Sequence, residues 1–346
     1  RLHRSIKTLR PKFMTASSRL FFRVVRVFRG SPMPSPSVAV IDIGSNSIKI
    51  LIAARTTDDG LAALKYRTID ARIGAGISRT EPRLSEEGMS RGLAAIVDLL
   101  AETEPFSPRK IVFVATSAVR DARNGAEFIA RVHAATGHRI RLLSGEEEAN
   151  LIGRGLTCDP ALTALRDFYV FDLGGGSLEC LAFRDRRISQ ALSLPRGCVR
   201  LAEKFLPDPT LPLSAAHALS IATHTRAVLS QSAFNFSLPP GATAVGTGGT
   251  LTTVRTILAA RLGQTLDATP TFVSLAELRS LLAWLGALPL EERRKIPGLP
   301  PARADVFPPA LVTVIAVAEA GGLRGFENSL YNLRWGLVAE AFESGS

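Results

Sequence analysis

The sequence contains the same short arrangement twice, about one domain length apart. An apolar run at residues 38–41 ends at Asp42, and a Gly-Ser-Asn-Ser turn separates it from a second apolar run at 48–53. The arrangement returns 130 residues later, where a run at 168–171 ends at Asp172 and a Gly-Gly-Gly-Ser turn follows. One copy alone is weak evidence, but two copies at this separation indicate an internal duplication. We therefore predict an α/β protein that is built from two related halves.

Further helices and strands are predicted around the first copy. The predicted elements are a helix over 84–100, a strand over 111–115, a helix ending at 132, a strand over 140–143 and a helix from Ser144 onward. Asn124 followed by Glu127 is typical of a capping box, in which two side chains satisfy the first turn of a helix. Ser144 and Glu147 form a second box of this kind.

The boundary between the halves is predicted near Asp159-Pro160, because proline interrupts the helical pattern there. We predict a first domain over 37–160 and a second over 161–346, whose last helix is a candidate to pack back on the first. In the second domain, a third glycine loop at 246–250 follows a short apolar run and precedes a predicted helix over 251–262.

The positive charge of the chain is concentrated at its beginning. The chain has 42 Lys and Arg against 31 Asp and Glu, but nine of the basic residues and no acidic ones lie within 1–41. The rest is nearly neutral, so no specific nucleic-acid partner is expected. Residues 1–36 form a basic extension that ends in a Pro/Ser run. Two hypotheses stay open for 1–32: an arm for a polyanion, an anionic lipid or a targeting receptor, or sequence upstream of a start at Met33.

Cysteine spacing and hydropathy argue against several classes of protein. Cys158, Cys180 and Cys198 show no CxxC spacing and no clustered histidines, which disfavours a zinc site or a disulfide framework. No run of about 18 apolar residues occurs, so no membrane span is expected. These features favour a cytoplasmic protein.

Glycine turns that follow strands leave backbone N–H groups available for phosphate oxygens, and small polar side chains add donors. The candidate phosphate-binding residues are Gly44, Ser45, Asn46, Ser47, Gly174, Gly175, Gly176, Ser177, Gly246, Gly248 and Gly249. Asp42 and Asp172 end their strands beside two of these turns and are candidate metal ligands, because Mg²⁺ prefers carboxylate and water oxygens. No GxxxxGK[ST] occurs and no GxGxxG opens a helix after a strand, which excludes the P-loop and dinucleotide-binding folds.

Four successive segments resemble the exopolyphosphatase/guanosine pentaphosphatase family. They are "AVIDIGSNSIKILIA", "VATSAVRDARNGAEFIARV", "RLLSGEEEANLIGRG" and "VFDLGGGSLEC". Looser matches, "LPRGCVRLAEKF", "AVGTGGTLTTVRTIL" and "ARADVFPPAL", extend the resemblance over roughly 36–346. It implies two ribonuclease-H-like domains of the actin/sugar-kinase/Hsp70 type, in the short form without an added helical domain. It also implies a substrate cleft between the domains.

The resemblance implies that Glu148, the third glutamate of "SGEEEA", positions or deprotonates the attacking water. The residues themselves support this choice, because the capping box explains Glu147 and a first-turn position explains Glu146. Phosphates facing Glu148 should raise its pKa and help it to act as a base near neutral pH.

Two further residues take roles from the resemblance. Arg120 matches the arginine of the family's "TxxxR" motif and is expected to bind a phosphate and offset charge in the transition state. Glu179 matches the glutamate of the second loop and is a candidate metal ligand or supporting carboxylate. In one respect the chain departs from the family pattern: Arg196 stands where an uncharged residue is usual, just before the glycine of "LPRGC".

The resemblance implies a phosphohydrolase that uses Mg²⁺ or Mn²⁺. Its expected substrate is inorganic polyphosphate, pppGpp or both, and pppGpp is a nucleotide of the stringent response. Two alternatives stay open. The first is a kinase or ATPase of the same fold that holds adenosine at the third glycine loop, and the second is a non-catalytic binder of (p)ppGpp or polyphosphate. A homodimer and the processivity on long chains also stay open.

Overall fold

The computed structural model describes residues 36–78 and 81–344. The predicted basic extension, apart from residue 36, and both hypotheses for 1–32 lie outside the described residues. The predicted domain boundaries stay a prediction, and the description below follows the two sheets and the helices packed on them.

The first sheet is built around the first aspartate and glycine turn. Its strands are β1 (Ser37–Ile43), β2 (Ile48–Arg55), β3 (Leu61–Ile69), β4 (Lys110–Ala115) and β5 (Ile140–Leu142). They lie in the order β3-β2-β1-β4-β5. The first three strands are antiparallel neighbours, whereas β4 and β5 run parallel to β1.

The second sheet repeats this topology around the second aspartate and glycine turn. Its strands are β6 (Phe168–Leu173), β7 (Leu178–Arg184), β8 (Arg187–Leu194), β9 (Thr243–Thr247), β10 (Phe272–Ser274) and β11 (Gly325–Asn328). The order β8-β7-β6-β9-β11 matches the first sheet strand for strand, and β10 is added at the edge. The α/β fold with two duplicated ribonuclease-H-like sheets, the actin/sugar-kinase/Hsp70 arrangement, is therefore confirmed.

Helices cover both sheets. They are α1 (Glu86–Ala101), α2 (Ser117–Asp121), α3 (Gly125–Thr136), α4 (Gly145–Thr157), α5 (Cys198–Phe205), α6 (Ala215–Gln231), α7 (Gly248–Leu262), α8 (Leu275–Gly286), α9 (Leu290–Arg293), α10 (Phe307–Ala320) and α11 (Leu333–Glu343). Helices α1 and α3 bury one face of the first sheet, and α6, α8 and α10 pack in the core of the second. A third core lies between the sheets and contains α4 and α11 together with residues of β1 and β6. Among the described residues, no helix is long and apolar enough to cross a membrane.

Helices α4 and α11 cross at close range because each has a glycine at the contact. A Cβ at Gly155 would overlap the carbonyl of Asn332, and a Cβ at Gly336 would overlap the carbonyl of Leu151. Helix α11 also packs on β1 of the first sheet. The last helix of the chain therefore joins the two sheets, and it does so next to the strand that ends at Asp42.

Two local predictions are wrong. Asn124 precedes α3, but its side chain does not cap the helix. Instead its amide exchanges two hydrogen bonds of 2.9 Å with the backbone of Leu84, because the loop before α1 needs these partners. The third glycine loop is not a separate loop either, since Gly246 belongs to β9 and Gly248 and Gly249 form the first turn of α7.

Candidate active site

The first glycine turn connects β1 to β2 and faces the second sheet. The N–H group of Gly44 donates to the carbonyl of Ser47 at 3.2 Å, which closes the turn. Ser45 lies 3.2 Å from Ser117 of α2, measured between hydroxyl oxygens. Asn46 is buried, and both polar atoms of its side chain are without a hydrogen-bond partner among the described residues. Because a buried unpaired amide is costly, this side chain is available for a ligand.

The second glycine turn connects β6 to β7 and touches the first. It closes in the same way, with the N–H group of Gly174 donating to the carbonyl of Ser177 at 3.0 Å. A Cβ at Gly176 would overlap the hydroxyl groups of Ser45 and Ser117. The two turns therefore approach each other so closely that a side chain at this position would separate them.

A cavity lies between the two turns and receives side chains from both sheets. Its lining comprises Asp42, Gly44, Ser45, Asn46, Ser47, Lys49, Thr116, Ser117, Glu148, Ile152, Asp172, Leu173, Gly174, Gly175, Gly176, Ser177, Glu179, Gly248, Gly249, Arg303, Asn332, Leu333 and Arg334. The predicted site residues thus come together here with two exceptions. Gly246 packs against Leu251 and Phe326 in the core of the second sheet, and Arg120 lies behind Glu148.

Glu148 reaches the cavity from the first turn of α4. The predicted capping box is present, since Ser144 accepts from the N–H group of Glu147 and the Glu147 carboxylate accepts from the N–H group of Ser144. Glu146 and Glu147 are exposed, whereas Glu148 is 7% exposed. Burial raises the pKa of Glu148 to about 7, against the opposing effect of Arg120. A carboxylate with such a pKa can accept a proton near neutral pH.

Arg120 is positioned by α2 to contact Glu148 rather than the cavity itself. One of its terminal nitrogens donates to a Glu148 carboxylate oxygen at 3.2 Å and to the carbonyl of Leu143 at 2.8 Å. Its Nε lies 3.4 Å from a carboxylate oxygen of Asp121. In this arrangement the guanidinium orients Glu148 and holds down its pKa, and a phosphate contact from Arg120 stays a prediction.

The three predicted metal-ligand candidates line the cavity from the ends of β1 and β6 and from β7. Burial raises the pKa of Asp172 and raises that of Glu179 well above its usual range. Ser193 donates to Glu179 at 2.7 Å. Asp42 accepts a hydrogen bond of 3.2 Å from Arg334. Gly248 has φ +76° and lies so close to Asp172 that a Cβ there would overlap the carboxylate, which requires glycine at this position.

Three cations in the cavity lining had no assigned role in the sequence analysis. They are Lys49, Arg303 and Arg334. Lys49 is opposite Asp42 in the β1–β2 pairing, just as Glu179 is opposite Asp172 in the β6–β7 pairing. The duplication therefore contained the information needed to find Lys49, because both partners follow their aspartates by seven residues.

Arg303 and Arg334 come from distant parts of the chain. Arg303 lies beside the first turn of α7, with contacts of 3.3 Å to Thr253 and 3.4 Å to Thr250, and its buried Nε has no partner among the described residues. Arg303 lies in the quoted segment "ARADVFPPAL", but neither arginine has a spacing from the glycine turns that indicated proximity. Only the fold brings them to the cavity.

The donor set of the cavity fits a hard divalent cation that keeps part of its water. Four carboxylates line the cavity against three cationic side chains. Mutual repulsion contributes to the raised pKa of Glu179 and of Asp172, so added positive charge is favoured there. Within 36–78 and 81–344, no three His, Cys, Asp or Glu side chains are close enough to hold a metal ion by themselves. Binding through few carboxylates, with water and phosphate oxygens completing the shell, is the usual mode for Mg²⁺.

The geometry as a whole suits a phosphate group. Two glycine turns and the N-terminus of α7 present N–H groups, and helix N-termini favour anions. Lys49, Arg303 and Arg334 add positive charge. The site can therefore bind phosphate oxygens and place a carboxylate base, Glu148, next to them.

Solved structures of similar fold exist. An exopolyphosphatase from Cytophaga hutchinsonii has 24% sequence identity and a TM-score of 0.79, with 89% of this chain and 98% of that chain covered. The Ppx/GppA family member from Aquifex aeolicus has 25% identity and a TM-score of 0.72, with 90% of this chain and 99% of that chain covered. A structure described as an exopolyphosphatase-like protein has 25% identity and a TM-score of 0.79, with 90% of this chain and 100% of that chain covered.

A sequence model of the Ppx/GppA phosphatase family matches residues 51–344, which is most of the chain. The matched range contains three of the four segments of the sequence analysis and the second glycine turn, whereas the first glycine turn lies just before it. The chain belongs to the Ppx/GppA phosphatase family.

Proposed function

We propose that the protein releases orthophosphate from the terminal phosphoanhydride bond of inorganic polyphosphate or pppGpp, with Mg²⁺ or Mn²⁺ as cofactor. The observation that carries the proposal is the buried carboxylate of Glu148, whose pKa is raised to about 7 in a cavity lined by phosphate-binding turns. A base with this pKa is half ionised near neutral pH and accepts a proton from water more readily than an exposed glutamate.

In this proposal the terminal phosphate lies between the two glycine turns. Their N–H groups, Lys49 and Arg303 bind its oxygens and stabilise the charge that develops during transfer. Glu148 orients the attacking water and accepts its proton, while Arg120 keeps the Glu148 carboxylate in place. The shortened polyphosphate or nucleotide leaves with the bridging oxygen.

The proposed metal would be held by Asp42 and Asp172, with Glu179 as a further or supporting carboxylate. When bound, a divalent cation neutralises phosphate charge and polarises the phosphorus centre. The charge balance of the site supports this assignment, because Asp172 and Glu179 have raised pKa values that a cation would lower. The chain itself supplies the orienting groups and the base.

Polyphosphate and pppGpp share the bond that is broken, so the cavity around Glu148 suits both. The likeness to an exopolyphosphatase-like protein supports polyphosphate. A direct comparison is phosphate release from tripolyphosphate, long-chain polyphosphate and pppGpp under Mg²⁺ and under Mn²⁺. Phosphate release from polyphosphate without an added nucleotide or acceptor excludes the kinase or ATPase alternative. Substrate binding without any phosphate release supports the alternative of a non-catalytic binder.

A further inference from the structure

Two further cations lie outside the cavity, at the two ends of helix α5: Arg196, just before α5, and Lys204 in its last turn. His224 of helix α6 lies beside Lys204. Lys204 and His224 line a groove between these helices together with Phe205, Leu219, Ser220, Thr223 and Ala227. We call Arg196 and Lys204 the α5 cation group.

The α5 cation group begins at the second phosphate-binding turn. The N–H groups of Cys198 and Val199 donate to the carbonyls of Gly174 and Gly175 at 3.0 and 2.9 Å. Arg200 donates from Nε to the carbonyl of Gly176 at 2.8 Å. The first turn of α5 is therefore fixed to the turn that lines the cavity, and Arg196 directly precedes this contact.

Arg196 Nε is buried without a partner among the described residues, and so is Nε2 of His224, which lines the groove with Lys204. Burial and then the charges of Lys204 and Arg196 lower the pKa of His224, which favours its neutral ring. A buried donor without an acceptor is unfavourable, so the guanidinium of Arg196 favours an anionic partner.

The nearest carboxylates do not neutralise the group. Asp121 pairs with Arg200, and Glu203 accepts from the N–H groups of Gly76 and Ser78 at 2.5 and 3.1 Å. Within the described residues, neither Arg196 nor Lys204 forms an ion pair. Arg196 donates to the carbonyl of Pro195 at 2.8 Å, and Lys204 Nζ lies 5.3 Å from the ring centroid of Phe205. The positive charge is therefore free to act on a ligand.

We propose that the α5 cation group is an anion subsite that binds the phosphate residues of a long polyphosphate chain at a distance from the bond being cleaved. A polyanion that ends in the cavity can continue past Gly176 and along α5, which is about 12 Å long. Arg196 binds phosphate oxygens through its guanidinium, and Lys204 adds a point charge. This inference rests on the proposed hydrolysis of polyphosphate, and it assigns to the α5 cation group a preference for long-chain substrates.

The test compares Arg196→Met and Lys204→Met with Arg187→Met. Arg187 is exposed at the opposite end of β8 from the cavity, so it is a matched control for loss of one positive charge. KM is measured for tripolyphosphate and for long-chain polyphosphate. We expect Arg196→Met to raise KM for the long chain about fivefold, with a much smaller effect on tripolyphosphate, because a charge-assisted hydrogen bond is lost.

A binding measurement separates this inference from the proposed function. In the Glu148→Gln background, where hydrolysis is expected to be lost, titration with long-chain polyphosphate should show weaker binding for Arg196→Met and a smaller dependence on salt. Equal binding by the Arg196→Met and Arg187→Met proteins overturns the subsite. A wild-type protein that binds polyphosphate but releases no phosphate overturns the proposed function and leaves the binding comparison valid.

Discussion

Arg334 donates a hydrogen bond of 3.2 Å to Asp42 across 292 positions of sequence. The arginine belongs to the first turn of α11, and the aspartate ends β1 at the cavity. Both side chains are buried, at 8% and 11% exposure. Because α11 packs on both halves of the molecule, this pair links the end of the chain to the site and fixes the orientation of a proposed metal ligand.

Arg334→Met should destabilise the protein by about 3 kcal/mol, because removal of one partner leaves a buried charge without compensation. The free energy of urea unfolding is the measurement. Arg141→Met is the matched control, since Arg141 also reaches α11 from the first sheet, at 2.7 Å from Glu340, but on the surface. Its loss should cost about 1 kcal/mol or less. Equal effects would show that the Asp42 pair contributes no more than a surface contact.

Gly336→Ala should destabilise the protein by about 2 kcal/mol or more, because a Cβ there overlaps the backbone carbonyl of Leu151 where α11 crosses α4. Gly286→Ala is a suitable control, since a Cβ at this helical position meets side-chain atoms only at 3.7 Å or more. It should be neutral or slightly stabilising. Thermal unfolding of both variants decides the point, and a neutral Gly336→Ala would contradict the close helix crossing.

The duplicated fold could be predicted because its evidence is local. Each copy places an aspartate and a glycine turn between two apolar runs, and the structure confirms the strands around Asp42 and Asp172. The capping box at Ser144 was likewise visible in four consecutive residues, and it separated Glu148 from its neighbours. Patterns of this length depend little on the rest of the chain.

The other features of the site could not be predicted, because they depend on contacts between residues that are far apart in the sequence. Asn124 has the sequence of a helix cap, but the loop at Leu84 uses its side chain. Arg303 reaches the cavity only because α7 and α10 assemble on the second sheet, and Arg334 only because α11 packs on α4 and β1. The phosphate contact of Arg120 stays a prediction, whereas its contacts to Leu143 and Glu148 were not predicted. Long-range packing decides each of these cases.

Asp42→Asn and Asp172→Asn should each lower the rate and raise the metal concentration needed for half-maximal activity. The reason is that each proposed ligand loses its negative charge. Titration of activity with Mg²⁺ and with Mn²⁺ measures both quantities. Chelation with EDTA should abolish hydrolysis in the wild type, and full activity in chelator would refute the metal mechanism.

Arg120→Met should shift the acidic limb of the pH–rate profile upward. Burial raises the pKa of Glu148 to about 7, and the charge of Arg120 opposes this rise. Without Arg120 the pKa of Glu148 goes higher, so a higher pH is needed to ionise the base. The dependence of kcat/KM on pH measures the shift. A lower rate with an unchanged acidic limb would assign Arg120 to the substrate and not to Glu148.

The most direct test of the account is phosphate release by Glu148→Gln and by Glu147→Gln. The amide at position 148 keeps the shape of the side chain but cannot accept a proton from water. We expect hydrolysis to fall at least about a hundredfold with substrate binding within severalfold of the wild type. Glu147→Gln weakens the capping box and the surface ion pair with Arg141, and should mainly reduce stability. Equal losses of turnover in the two variants would contradict Glu148 as the base.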